Sequence, residues 1–170
     1  MILREVQIND EFEALKAHEE LKADNFTFLL QYEDGMPWQD FISLHDQYKR
    51  GEVPEGRVPA TFFFAESDGE IVGRVSIRHD LNDFLFNYGG HVGYAVRPQF
   101  RGKGIATEML RQSLKICSDL GLKKVLVTCN DQNLYSAKTI ENCGGVLENK
   151  VQGDPEEAAG ALIRRYWITL

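Results

Sequence analysis

The residues best placed to do chemistry lie in one stretch, Val96-Arg97-Pro98-Gln99-Phe100-Arg101-Gly102-Lys103-Gly104-Ile105-Ala106-Thr107. Gly102 and Gly104, two apart, leave their N–H groups uncovered by any Cβ. A loop of that kind, opening a helix, presents free N–H groups and the positive end of the helix dipole, which together make an anion site. Arg101 and Lys103 add positive charge beside it. The pattern predicts a cradle for a diphosphate; the bland alternative is a strand-to-helix turn that binds nothing. Two nucleotide motifs fail here. A P-loop needs Lys-Ser/Thr after its last glycine, and Gly102-Lys103 is followed by Gly104. A dinucleotide fingerprint needs a third glycine where Thr107 stands and an acidic residue about 20 positions on, where Leu122, Lys123 and Lys124 lie.

The elements around the loop follow from periodicity. Met1 to Ile8 reads as a strand, with Asn9 or Asp10 as N-cap of a helix ending near Lys22. A second helix starts at Pro37 and carries Trp38, Phe41, Ile42, His45 and Tyr48 at helical spacing. Residues 62–66 and 71–77 flank the turn Ser67-Asp68-Gly69 as a hairpin, and 79–90 reads as a loop. A strand at 91–96 feeds the glycine loop, and a helix with Ile105, Met109, Leu110, Leu114 and Cys117 on one side follows it. Then come a strand at 124–129, a short helix at 134–143 capped by Asn133 and stopped by Gly144-Gly145, and strands at 146–151 and 161–170 around an acidic loop. The order β-α-α-β-β-β-α-β-α-β-β is that of an α/β chain whose first half is largely antiparallel.

With 170 residues and no composition shift, residues 1–170 read as one domain. A net charge of −7 argues against nucleic-acid or anionic-membrane partners. Cys117, Cys129 and Cys143 show neither metal-ligand nor disulfide spacing, and no signal peptide or spanning segment is evident. A cytoplasmic location with reduced thiols is expected.

Taken together, Gln99-Phe100-Arg101-Gly102-Lys103-Gly104, the flanking Arg97-Pro98 and Ile105-Ala106, and Asn133…Ser136…Gly144 resemble the GCN5-related N-acetyltransferase (GNAT) family, whose signature is Q/R-x-x-G-x-G/A. The resemblance is closest over 61–150. It implies a mixed, mostly antiparallel twisted sheet of six to seven strands flanked by helices, with a splayed cleft between the strands at 91–96 and 124–129. It implies acetyl-CoA as co-substrate and no metal. Backbone from Gln99 through Phe100, Arg101, Gly102, Lys103, Gly104 and Ile105 to Ala106 would hold the pyrophosphate, Tyr94, Ala95 and Val96 the pantetheine arm after a bulge, and Asn133 and Ser136 its far end. The implied reaction is direct acetyl transfer to a primary amine of a small molecule or peptide. The alternatives are a non-catalytic acyl-CoA-binding module and N-terminal acetylation of a protein such as a ribosomal protein. A homodimer is compatible with the resemblance.

Transfer to an amine needs a proton acceptor for the amine, a donor to the developing oxyanion and a proton for the leaving thiolate. Many relatives supply the last from a Tyr seven residues after the helix-start Asn; that position here is Ile140. Ser136, a water or Tyr135 remains as proton donor, the bland alternative for Tyr135 being a core aromatic. Among base candidates His91 has the best-suited unperturbed pKa, ahead of Glu66, Asp80 and Asp83; its alternative is a strand-end histidine bonded to backbone. Phe26, Phe28, Tyr32, Trp38, Phe84, Phe86 and Tyr88 are expected mostly in the core, with some lining an acceptor pocket. Of Arg164 and Arg165 in the last strand, one is read as facing the cleft or as a solvated edge charge.

Overall fold

The computed structural model describes residues 1–154 and 160–170, so most of the acidic loop lies outside the described residues. Seven strands and four helices follow in the expected order: β1 (Ile2–Glu5), α1 (Glu11–Lys22), α2 (Trp38–Arg50), β2 (Ala60–Ser67), β3 (Glu70–Arg78), β4 (Val92–Val96), α3 (Ile105–Asp119), β5 (Lys124–Asn130), α4 (Leu134–Asn142), β6 (Val146–Gln152) and β7 (Leu162–Thr169). They form a four-stranded sheet in the order β1-β2-β3-β4 and a three-stranded sheet in the order β5-β7-β6. Every ladder among the described residues is antiparallel. Among the described residues no helix is long and apolar enough to cross a membrane.

Alternation along β2 and β3 decides what each face carries. Phe63, Ala65, Val75 and Ile77 point towards α3 and pack with Met109, Leu110 and Cys117. Phe62, Phe64 and Ile71 point the other way and pack under α1 and α2 with Ala14, Phe41 and Trp38. Each buried aromatic of that layer contributes about 1.5–3 kcal/mol by burial. The β2–β3 turn is tight because Asp68 and Gly69 both take positive φ.

Four local expectations are corrected. β1 stops at Glu5, and the turn Ile8–Asp10 follows. Asp10 does not cap α1 through its side chain; its carboxylate accepts from Arg4 Nη1 at 2.8 Å, Arg4 Nη2 at 2.7 Å and Gln7 N at 2.7 Å. The 79–90 segment contains a π-helical turn at Leu85–Gly89. The β3–β4 register runs without interruption from Gly73/Val96 to Ile77/Val92, and the ladders are irregular instead between β2 and β3, at Ala65/Glu66, and between β6 and β7, at Leu147/Asn149.

Between the sheets β4 and β5 separate. They are tied at their origin, where His91 N donates to Leu126 O at 2.7 Å and Leu126 N donates to His91 Nδ1 at 2.9 Å. Beyond that point β4 belongs to one sheet and β5 to the other. The opening is the cleft the sequence predicts.

Candidate active site

The loop after β4 is built to leave N–H groups free. A short turn at Pro98–Phe100 redirects the chain, and Gly102 and Gly104 follow with φ of +76° and +78°. Those left-handed values are strained for any residue with a Cβ. The first helical bond of α3 runs from Glu108 N to Gly104 O at 3.1 Å. The N–H groups of Ile105, Ala106 and Thr107 therefore precede the ladder and face outward with the positive dipole end behind them.

A groove of about 910 Å³ starts at this loop and runs along β4 to α4. Tyr94, Ala95 and Val96 of β4, Phe100, Arg101, Gly102, Gly104, Ile105 and Ala106 of the loop, and Asn133, Tyr135 and Ser136 of α4 all line it, with Phe26 from the α1 side. Gln99 and Lys103 stand off its wall. Gln99 turns to Glu20, and the Lys103 ammonium lies 5.7 Å from the Phe100 ring. Arg101 is partly committed, since Nε donates to Val96 O at 3.1 Å and Nη2 meets Asp24 at 3.1 Å.

Asn133 caps α4 by accepting from Ser136 N at 3.0 Å. That cap orients the first turn, and the Ser136 hydroxyl lies 2.8 Å from the Tyr94 phenol oxygen across the groove. Burial, chiefly, pushes the Tyr94 phenol up to about 12, so it stays protonated. The sequence treats Tyr94 as a backbone contributor; its side chain joins β4 to a helix 42 positions on, and no local pattern announces such a pair.

The other expected residues are distributed as follows. Ile140 is fully buried in the core under α4. Tyr135 is 91% exposed at the rim of the groove. His91 is buried, its Nδ1 lone pair already accepts from Leu126 N, and burial lowers its pKa. A group that binds a proton less readily and straps two strands together is poorly disposed to act as a base. Glu66 pairs with Arg4, and Asp80 accepts from Leu81 N at 2.8 Å. Phe28 and Trp38 are core residues; Phe84 and Phe86 are exposed by 39% and 45%. The expectation of an edge charge in the last strand is corrected, because β7 is the centre of its sheet. Arg165 is 4% exposed there and pairs with Glu148 at 2.7 Å, while Arg164 meets Asp131.

Two residues near the cleft escaped the sequence reading, Arg74 and Arg78 on β3. They share the α1–α2 face, and both guanidinium groups crowd Gly93 of β4. Burial, with Arg78 as a neighbouring charge, lowers Arg74 to about 9, and burial lowers Arg78 to about 10. The available signal was two arginines four apart, on one face, in a strand otherwise apolar.

The acetyltransferase (GNAT) family model matches residues 15–144. No curated protein sequence matches significantly. Among solved structures, the chain is similar to a microcin C7 self-immunity acetyltransferase in complex with acetyl-CoA and AMP, at 22% identity over 99% of this chain and 91% of that one, with a TM-score of 0.70. It is also similar to Mycobacterium smegmatis RimJ in complex with CoA-disulfide, at 22% identity over 98% and 80%, with a TM-score of 0.72. A Vibrio cholerae spermidine N-acetyltransferase matches at 19% identity over 99% and 95%, with a TM-score of 0.66. At these identities the likeness to the three structures is one of fold.

Proposed function

The chain belongs to the acetyltransferase (GNAT) family, and from that premise we propose that it transfers the acetyl group of acetyl-CoA directly to a primary amine of a small molecule or peptide. The observation that carries this reading is the continuity of the groove, from the free N–H groups opening α3 to the Ser136–Tyr94 pair. A diphosphate seats on the N–H groups of the loop. The extended arm of the co-substrate lies along the free edge of β4 as an added strand, which brings its thioester into the gap.

Attack by the neutral amine then builds negative charge on the thioester oxygen, and a backbone N–H of the Tyr94–Val96 segment stabilises it. As the carbon–sulfur bond breaks, Ser136 donates its hydroxyl proton to the thiolate, Tyr94 re-protonates Ser136 along their 2.8 Å hydrogen bond, and the phenolate regains its proton from the water that receives the amine proton. This relay stands in for the tyrosine that Ile140 replaces. His91 keeps β4 and β5 tied at the root of the gap, and the amine proton leaves through water. The acceptor is met in solution, in the cytoplasm, without nucleic acid.

Acetyl-CoA at about 100 times its dissociation constant stabilises the fold by about 2.7 kcal/mol, read as a thermal shift. Gly104→Val abolishes the shift, because a β-branched residue resists a φ of +78° and its side chain covers the anion site. An equal shift in that variant, or none in the wild type, defeats the cradle. Acetylated product across an amine panel separates transfer from mere acyl-CoA binding.

A further inference from the structure

The buried arginines of this fold are treated unequally. Arg4 has Asp10, Arg97 has Glu13 and Glu20, and Arg165 has Glu148. Arg74 and Arg78 pair with no carboxylate among the described residues. Arg74 is 5% exposed. Its Nη2 donates to Thr27 O at 3.2 Å, while its Nε has no acceptor. The Nη1 of Arg78 is also buried without an acceptor. Two like charges thus lie close together with no carboxylate, Arg74 buried and Arg78 half-buried, and each has a buried unused donor, as Arg165 Nη2 also has. Like charges without a counter-ion are an arrangement that folding alone disfavours.

Their position gives the arrangement a purpose. Arg74 is in register with Ala95, and Ser76, between the two arginines, with Gly93. A Cβ at position 93 would fall 2.9 Å from Arg78 Nη1 and 3.6 Å from Arg74 Nη1. Both guanidinium groups therefore lie against Gly93 of β4, the residue whose lack of a side chain lets them, one strand in from the groove wall. The Arg74 guanidinium also backs the Phe26 ring at 5.2 Å, and Phe26 and Ala95 are walls of the groove. Tyr94 alternates to the opposite face and meets Ser136 there. The proton donors and the unpaired cations thus approach the gap from opposite faces of one strand.

We infer that the acceptor amine carries its own anion, a carboxylate or a phosphate, and that Arg74 and Arg78 bind that anion on the α1–α2 side of β4 while the nitrogen enters the gap. The inference rests on the acetyl-transfer reading above. Guanidinium groups present forked donors that match carboxylate and phosphate oxygens. Placed side by side they repel an amine that brings only positive charge, so polyamines are the class this site turns away. With the anion bound, the spare donors are used and the charges compensated.

The test is steady-state acetylation with labelled acetyl-CoA. L-alanine, L-glutamate and O-phosphoethanolamine represent anionic amines; L-alaninamide, ethanolamine and spermidine lack the anion. At least one anionic amine is expected to exceed its anion-free counterpart tenfold or more in kcat/KM. Arg78→Gln lowers that value at least tenfold, mainly through KM, and Arg78→Lys restores part of it. The acetyl-CoA thermal shift certifies that each variant is folded. Preference for spermidine or ethanolamine over all anionic amines overturns the inference and leaves acetyl transfer standing. A preference for anionic amines that survives both Arg74→Gln and Arg78→Gln overturns it as well. So does a change confined to succinyl-CoA against acetyl-CoA, which would assign the arginines to the acyl group. Bound acetyl-CoA with no product from any amine defeats both readings together.

Discussion

Arg97 and the pair Arg74 and Arg78 are the same residue type beside the same strand, Arg97 and Arg74 buried and Arg78 half-buried, and they are handled in opposite ways. Arg97 is 2% exposed and saturated: Nε and Nη2 donate to Glu20 at 2.8 and 2.9 Å, and Nη1 donates to Glu13 at 2.9 Å and Ile71 O at 2.7 Å. Its partners come from α1 and β3, so the guanidinium bolts both to the residue that begins the glycine loop. Arg74 and Arg78 have one carbonyl contact and no carboxylate between them, among the described residues. A saturated buried charge reads as architecture. An unsaturated one beside a cleft reads as a ligand's partner.

The largest expected effect comes from breaking the saturated member. Arg97→Met leaves Glu13 and Glu20 facing each other's charge without a cation, and a buried pair broken on one side costs about 3–5 kcal/mol. Both carboxylates are partly exposed, at 32% and 26%, and turn towards water, so a loss near about 3 kcal/mol is expected from urea unfolding. A loss below about 1 kcal/mol would place Arg97 in the same category as the unpaired arginines and dissolve the contrast.

Acid sharpens it next. The hydrogen bond from Arg97 holds the Glu20 carboxyl below its usual range. A depressed carboxyl contributes stability that is present above its unfolded value, near 4.5, and is lost as pH falls through the folded value. Below pH 4.5 the wild type should therefore lose stability more steeply than Arg97→Met. His45 adds a loss common to both proteins. Burial keeps it neutral down to about 4 against 6.5 when unfolded, so it destabilises as pH falls between those values. Parallel curves below pH 4.5 would remove the Arg97–Glu20 bond from the stability argument.

The contrast also marks what a sequence discloses. Periodicity and turn residues suffice for β2, β3, α2 and α3, because burial on one face and the glycines at 69, 102 and 104 are local events. The glycine loop with its free N–H groups is legible for the same reason, because those donors are near neighbours along the backbone. The Tyr94–Ser136 bond and the Arg97 network are not legible, since they join residues 26 to 84 positions apart. Arg165 misled for a related reason. A terminal strand looks like an edge until its neighbours on both sides are known, and β7 has β5 and β6. Intrinsic pKa singles out His91, a property that the tie to Leu126 and burial override.

The smallest expected effect is the most discriminating. Arg78→Met keeps an apolar stem of similar reach while removing a guanidinium that donates no hydrogen bond among the described residues and repels Arg74. If Arg78 is held at the expense of folding for the sake of a ligand, its removal stabilises the free protein by about 1 kcal/mol, the low end for replacing buried charge with apolar surface. The urea midpoint then rises with the slope unchanged, which excludes a change in the extent of unfolding. A destabilisation of about 1 kcal/mol or more would mean that Arg78 is structural after all. The same residue losing acceptor turnover while gaining stability is the pattern that architecture cannot produce, because a bolt that is removed does not leave the joint firmer.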